Sequence, residues 1–480
     1  MARGLMEFLT KEDLRRIQRI SLRVLDRIGI VVLSEQTRDF LVDAGATISK
    51  KTGRVQIPEA LVKQALANAP KSVLLASRDG KHDMRLPSGD KMYVSSGGEG
   101  VYVKDMLTGE TRPSTGADLR DFTAIIDTLP QIDFVWAVVG ALEEPAHLKD
   151  IVGMRIMFEA TTKHIQSNSS STREAKAMVE AASVLTGGEK ELAKKPIMSM
   201  VQCPISPLTF EKGLTDAQAY LAKAGVPVVA MSAAVAGLTS PVTLSGTLAQ
   251  VNAENLASLV ISQTAKKGAP WIYSSDSCPG DLKTGSIDYG SFEALLLRAG
   301  AAQLGAAYGL PTMTGGLGLE DSSLLFGTIE DAVPTMALQG MIPSDLASGL
   351  GGVDQAAGGS YEQIILDAWV WDVAREFSRP FAMDEGAISF ETIRDAGIDG
   401  NFLGKRHTIT RFKQELIATV KPEAVISGKA NSNKRGDLLR KAKAEAEALL
   451  GRPKIPRISK DESRRILDVI ERFAQQVDQG

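Results

Sequence analysis

The sequence predicts an α/β fold, a (β/α)8 TIM barrel with extra N-terminal and C-terminal helical segments, and three observations carry that prediction. Short apolar runs of strand length alternate with amphipathic helix patterns through the middle of the chain. About eight such units follow one another between residues 90 and 378, the size and order of a closed barrel. The loop after each strand is rich in Ser, Thr, Gly and Asp, and in a barrel those loops build the active site. A doubly wound open sheet is the competing architecture.

The elements follow in order. Residues 11–28 place Leu14, Ile17, Ile20 and Leu25 at helical spacing with bases between them. Residues 34–44 form a second short helix capped by Ser34, and Pro58 opens a third that runs to Ala69. This N-terminal helical layer, residues 1–85, precedes the barrel domain, 86–378. Strands are predicted at 91–96, 132–139, 163–167, 197–203, 226–231, 270–273, 310–314 and 346–349. Between them lie helix patterns at 118–128, 148–160, 171–185, 209–224, from Pro241, from Ser291 and at 330–338, with 360–377 closing the series. Residues 379–480 read as a C-terminal helical extension, with the strongest helix patterns at 432–450 and 459–475.

Composition narrows the function. The chain is 44% hydrophobic and 24% charged, as soluble globular proteins are. A net charge of −3, with acids and bases mixed, argues against nucleic acid or an anionic membrane as partner. Two cysteines, Cys203 and Cys278, make no disulfide framework and fit a reducing compartment. With no signal-peptide core at the N-terminus and no apolar run of bilayer length, a cytoplasmic protein is expected.

A set of short motifs then carries a resemblance. They are Gly53-Arg-Val-Gln-Ile-Pro58, Ala69-Pro-Lys-Ser72, Asp105-Met-Leu-Thr-Gly109, Ser206-Pro-Leu-Thr209, Ser240-Pro-Val-Thr243 and Asn252-Ala-Glu254. Gly309-Leu-Pro311, Ser360-Tyr-Glu362 and Gly400-Asn-Phe-Leu-Gly404 with His407-Thr408 complete it. In that order and spacing they resemble the trimethylamine methyltransferase family over nearly the whole chain. The resemblance implies a TIM barrel that moves a methyl group from a methylated amine to the cobalt(I) of a corrinoid. That corrinoid is supplied by a separate protein, and the chain itself keeps no permanently bound cofactor. The family's archetype carries pyrrolysine in the region equivalent to 321–330, where this sequence has only standard residues. The branch without pyrrolysine is associated with quaternary amines such as glycine betaine. Chemistry supports the division. A tertiary amine would have to leave as an amide anion unless first activated, whereas a quaternary ammonium leaves as a neutral amine. The enzyme then needs to hold, desolvate and aim the cation.

A quaternary ammonium site calls for aromatic faces and a carboxylate. The aromatic candidates are Trp136, Tyr273, Tyr93, Tyr102, Phe326 and Tyr361, each with core packing as its alternative. Trp369 and Trp371, deep in a helix pattern, read as packing. Glu99 follows a Gly-Gly pair at the mouth of the first strand and is the one candidate catalytic acid, with Asp276 and Asp321 as similar loop acids. A betaine carboxylate would take a donor from His164, Gln166, Gln202 or Lys283. No metal site is expected, because Cys203, Cys278 and His164 have no ligand spacing. Gly315-Gly-Leu-Gly318 lacks the Lys-Ser/Thr of a phosphate loop and is expected to let a ligand approach the mouth. Carnitine, proline betaine and choline are alternative donors. A quaternary ammonium binding protein without methyl transfer, and a barrel lyase or aldolase, are alternative functions. The helical flanks suggest a homo-oligomer.

Overall fold

The computed structural model describes residues 4–89, 91–104, 109–318, 329–416 and 435–478. Eight parallel strands form a closed barrel: β1 (Tyr93–Ser96), β2 (Phe134–Trp136), β3 (His164–Asn168), β4 (Met198–Gln202), β5 (Val228–Ser232), β6 (Trp271–Ser275), β7 (Thr312–Thr314) and β8 (Leu346–Leu350). Each pairs with its neighbours in sequence, and β8 closes on β1 with Leu346 opposite Tyr93. The expected strands are all present, with ends displaced by a few residues.

Eight helices wrap the ring: α1 (Gly116–Thr128), α2 (Lys149–Ala160), α3 (Thr172–Thr186), α4 (Lys212–Ala224), α5 (Leu244–Ala265), α6 (Phe292–Ala307), α7 (Ile329–Gly340) and α8 (Tyr361–Ala374). Side-chain caps start several of them. Ser171, Ser291 and Ser360 accept the free N–H groups of the first turns of α3, α6 and α8. Helix α5 is buried on nearly every side because it is covered from two directions. The barrel lies under one face, and the N-terminal helices Lys11–Arg23 and Glu59–Asn68 lie over the other. The C-terminal helix Arg435–Leu450 packs on α8 and α1, and Lys460–Asp478 packs on α3 and α2. One continuous apolar core joins these outer helices to the outward faces of the strands. No helix among the described residues is long and apolar enough to cross a membrane.

Alternation along the strands separates an inner set from an outer one. Phe134, Val201, Val229, Met231, Ile272, Met313 and Leu346 fill the inside. Val135, Ile165, Met200, Ala230, Tyr273 and Ala347 belong to the outer core. A hairpin, Val73–Leu75 with Met84–Leu86, closes the floor of the barrel under the inner set. The open end is therefore the C-terminal one.

Two of the sequence motifs prove to be halves of one contact. Glu254 of Asn252-Ala-Glu254 is fully buried. It accepts from Ser206 Oγ (2.8 Å) and Leu208 N (2.9 Å) of the Ser206-Pro-Leu-Thr209 loop, and also from Gln250 and Ser232. That grip corrects one expectation. Thr209–Phe210 is not the start of a helix but a short strand beside Val31–Val32, and α4 begins only at Lys212. The helix Glu189–Lys194 was likewise not expected.

Glu254→Ala would strand several buried donors, so it is expected to destabilise the fold by about 2–4 kcal/mol. Urea unfolding followed by circular dichroism measures this; a loss below about 0.5 kcal/mol would refute the account.

Candidate substrate site at the barrel mouth

A cavity of about 240 Å³ opens at the C-terminal end of the barrel, lined by Gly97, Trp136, Asp276, Tyr289, Ser348 and Gln355 among others. Trp136 ends β2 on the inward face. Its indole Nε1–H donates to Glu99 Oε1 at 3.2 Å. Gly97 makes room for the ring, since a Cβ there would lie 3.0 Å from Trp136 Cε3. Glu99 itself adopts φ +49°, a left-handed conformation that costs a residue with a side chain and is concentrated at functional sites.

Asp276 follows β6, and the Arg298 guanidinium of α6 stands behind it, with Nη2 3.5 Å from Oδ1. The Asp276 side chain keeps 23% of its surface while that of Arg298 keeps 2%, so the acid faces the cavity and the base supports it. Arg298 Nη1 also donates to the Gly316 carbonyl at 3.2 Å, and the guanidinium lies 5.5 Å from the Tyr289 ring centroid. The glycine run 315–318 now has a reason. A Cβ on Gly315 would fall 2.3 Å from Asp276 Cγ, and one on Gly316 would fall 2.0 Å from Arg298 Nη2. Gly315 and Gly316 thus make room for the ion pair. Tyr289 N donates to Gln355 Oε1 at 2.7 Å, tying down Asp354, Gln355 and Ala356, three successive residues with positive φ on the cavity's edge.

The electrostatics are those of an acidic mouth. Burial, and then Asp150, push Glu99 up to about 7, against Lys149 and the hydrogen bonds from Trp136 and Asn168. Burial also raises Asp276, which Arg298 opposes. Cys203 is solvent-accessible, yet burial together with Asp276 and Glu99 pushes its thiol up to about 12. The thiol therefore stays protonated at neutral pH. Below, Gln166 Nε2 and Ser274 Oγ point inward, buried and without a hydrogen-bond partner among the described residues.

Trp136, Glu99 and Asp276 are brought together, with Gln166 beneath them. The other expected residues lie elsewhere. His164 begins β3 rather than ending it and sits near the floor. Its Nδ1 lies 3.1 Å from the Ala76 carbonyl and its Nε2 3.0 Å from Ser199 Oγ, and burial lowers it to about 4. Tyr93 also starts its strand at the floor, with Lys91 Nζ 3.9 Å from its ring. Tyr273 and Gln202 have outward parity. Tyr273 donates to Asn252 Oδ1 at 3.2 Å, and Gln202 Nε2 to Ser169 Oγ at 3.3 Å. Tyr361 stacks on Phe122 at 4.2 Å and donates to Asp118 at 2.9 Å, under the helix layer. Tyr102 stands on the rim, its hydroxyl bonded to Asp354. Lys283 is exposed on its loop, and Trp371 is packed in the core. Phe326 and Asp321 lie outside the described residues.

Tyr289, Ser274 and Arg298 were not foreseen. Arg298 had a signal, a lone guanidinium inside the Ala-, Leu- and Gly-rich α6. Lys163 resembles a Schiff-base lysine, since burial lowers it to about 8. It lies at the wrong end of the barrel, where its ammonium caps the carbonyls of Ile126, Leu129 and Ile132. Among the described residues no three His, Cys, Asp or Glu side chains gather as metal ligands.

Known proteins bear on this geometry. The sequence profile described as Trimethylamine methyltransferase (MTTB) matches residues 2–477. The trimethylamine methyltransferase MttB of Desulfitobacterium hafniense (strain DSM 10664 / DCB-2) is 29% identical over 413 residues, covering 86% of this chain and 83% of that protein. The glycine betaine methyltransferase of Desulfitobacterium hafniense (strain Y51) is 27% identical over 419 residues, covering 85% of each. Among solved structures, the Methanosarcina barkeri monomethylamine methyltransferase (MtmB) aligns over 91% of this chain and 94% of its own, at TM-score 0.49 and 12% identity. By the match that runs almost from end to end, the chain belongs to the trimethylamine methyltransferase family.

Proposed function

We propose that this protein transfers a methyl group from a quaternary ammonium compound of the glycine betaine kind to the cobalt(I) of a corrinoid carried by a separate protein. One arrangement carries the reading: the Trp136 ring faces a small cavity, with Glu99 on its N–H edge and Asp276 across the mouth. An aromatic face and two carboxylates form an environment for a cation that needs no further activation. The names of the relatives, trimethylamine and glycine betaine methyltransferases, place the substrate among methylated amines. The standard residues at 321–330 favour the quaternary branch.

Transfer is then a displacement at carbon. The methyl carbon bonds to cobalt(I) as its C–N bond breaks, and the bond's electron pair stays on nitrogen, which departs as a neutral tertiary amine. The protein's part is to desolvate the cation, hold it, and turn one methyl toward the open end. No proton moves, so the raised Glu99 serves binding rather than acid–base exchange.

The two acids favour a second reading of the substrate. A betaine carries its own carboxylate into a mouth whose buried guanidinium, Arg298, already faces Asp276. A purely cationic donor such as choline meets no such repulsion. Gln166 Nε2 and Ser274 Oγ, inward-facing buried groups without hydrogen-bond partners among the described residues, are candidates to take a polar tail of either kind.

Incubation with reduced cob(I)alamin and a panel of quaternary amines, read by methylcobalamin absorbance, tests the activity. No conversion with any donor would remove the proposal. Trp136→Ala and Asp276→Asn should each weaken donor binding by roughly tenfold, about 1.4 kcal/mol, with the fold intact. The pH dependence follows from Glu99. Its carboxylate forms only above about 7, so choline affinity should rise through that pH, while glycine betaine should gain little or weaken. Glu99→Gln should flatten both profiles in calorimetric titrations. In the free protein the sign for stability is opposite. The folded chain holds the proton between the ordinary 4.5 and about 7, so this group's contribution to stability is lost as pH rises through that window.

A further inference from the structure

Between the helices Arg435–Leu450 and Lys460–Asp478 the chain crosses its own surface in one irregular stretch, residues 451–459. The first helix packs on α8 and α1 and the second on α3 and α2, so the two straddle the line where α1 and α2 lie side by side. The stretch spans that gap as a strap. Pro453 and Pro456 remove backbone donors from it and keep it out of either helix. It is pinned at several points. Arg457 N donates to the Glu159 carbonyl at 2.8 Å, the Arg457 side chain pairs with Asp127, and Lys454 pairs with Asp121. Arg78, in the turn of the floor hairpin, donates to the Arg457 carbonyl at 2.8 Å. The strap therefore lies at the floor end of the barrel, away from the mouth.

Beneath the strap is a cavity of about 650 Å³. Sites for small molecules span roughly 300–1,000 Å³ and are mostly apolar with a few placed polar groups. Leu449, Pro453, Pro456, Ile458 and Leu467 supply hydrocarbon walls, and Ala124 of α1 and Ala160 of α2 are too small to fill the space. Charge narrows the occupant. Six cations line the cavity, and four are already paired: Arg457 with Asp127, Lys454 with Asp121, Arg120 with Glu159 and Arg464 with Asp461. Glu159 also accepts from Arg155 and Ser463, so neither acid in the lining is left over. The remaining two cations, Arg452 and Lys460, have no ion-pair partner among the described residues. Apolar walls with two positive charges in excess favour an anion that carries a hydrocarbon body and repel a cation.

We propose that the cavity beneath residues 451–459 is a second ligand site, separate from the barrel mouth, for a small carboxylate with a hydrocarbon tail. The tail lies against Ala124, Ala160 and the two prolines, and the carboxylate faces Arg452 and Lys460. A ligand there joins the strap to α1, α2 and the final helix, so binding stabilises the folded chain. The inference does not depend on which donor or acceptor the mouth takes.

Calorimetric titration of the full chain with octanoate, octanol and octylamine, each below micelle formation, tests it. Octanoate should bind saturably, one per chain, and raise the melting temperature. Octanol should bind roughly tenfold more weakly, and octylamine more weakly still. Arg452→Glu with Lys460→Glu should abolish the preference for the acid, whereas Arg452→Lys with Lys460→Arg should keep it. Both pairs are exposed, so the circular dichroism spectrum should not change. Ala124→Phe, which fills the cavity from α1, should remove octanoate binding, and Trp136→Ala at the mouth should leave it unchanged. A wild type that does not bind octanoate saturably would overturn the proposal. So would equal affinity for octanol, indifference to the charge reversal, or loss of octanoate binding in Trp136→Ala.

Discussion

Closing eight short parallel strands into a ring is the constraint on which the rest of the molecule depends. Closure fixes the direction of every side chain in the wall, because neighbouring residues must point to opposite faces. It sends Trp136, Gln166 and Ser274 inward, and sends Tyr273 and Gln202 into the helix layer. The floor hairpin then leaves one open end. A residue's position along its strand decides the remainder. His164 and Tyr93 fall at the closed end, Trp136 and Asp276 at the open one.

The open end gathers negative charge that the surrounding protein supports unequally. A buried carboxylate is costly unless paired. Asp276 has Arg298, and the glycines at 315 and 316 exist to let that pair close against the backbone. Glu99 has hydrogen bonds from Trp136 and Asn168 and the charge of Lys149, which do not offset burial and Asp150, and so it is pushed up to about 7. On the proposed function, a cation entering the mouth would supply the missing charge, and its binding would be linked to the ionisation of Glu99.

Stabilising contacts far from the mouth serve the same end. Glu254 draws the loop after β4 to α5, which fixes the course of that loop at the C-terminal end of the barrel. Asn252, two residues earlier, joins Ser21 of the N-terminal layer to Tyr308 at the end of α6 and to Tyr273 of the barrel wall. The outer helices are thus tied to the wall by buried polar contacts as well as by packing. Residues 381–416 stand apart from this arrangement, with none of their described side chains buried.

By itself the sequence determined the barrel, its eight strand–helix units and the family, because strand length, helix periodicity and cap residues are local properties. It also singled out Glu99 after its glycine pair and Trp136 at a strand end, both of which reach the mouth. It left undecided which face of each strand looks inward. Both faces are buried, so the apolar runs carry no alternation to read. For that reason Tyr273 and Gln202 looked as eligible as Trp136, and a one-residue difference in parity separated them. Only tertiary structure brought Asp276 against Arg298, with Tyr289 and the glycines at 315 and 316 around them. Those residues come from two separate loops and a helix, and a charge pair between them has no local signature. Its only trace in the sequence was a single arginine in a helix rich in Ala, Leu and Gly.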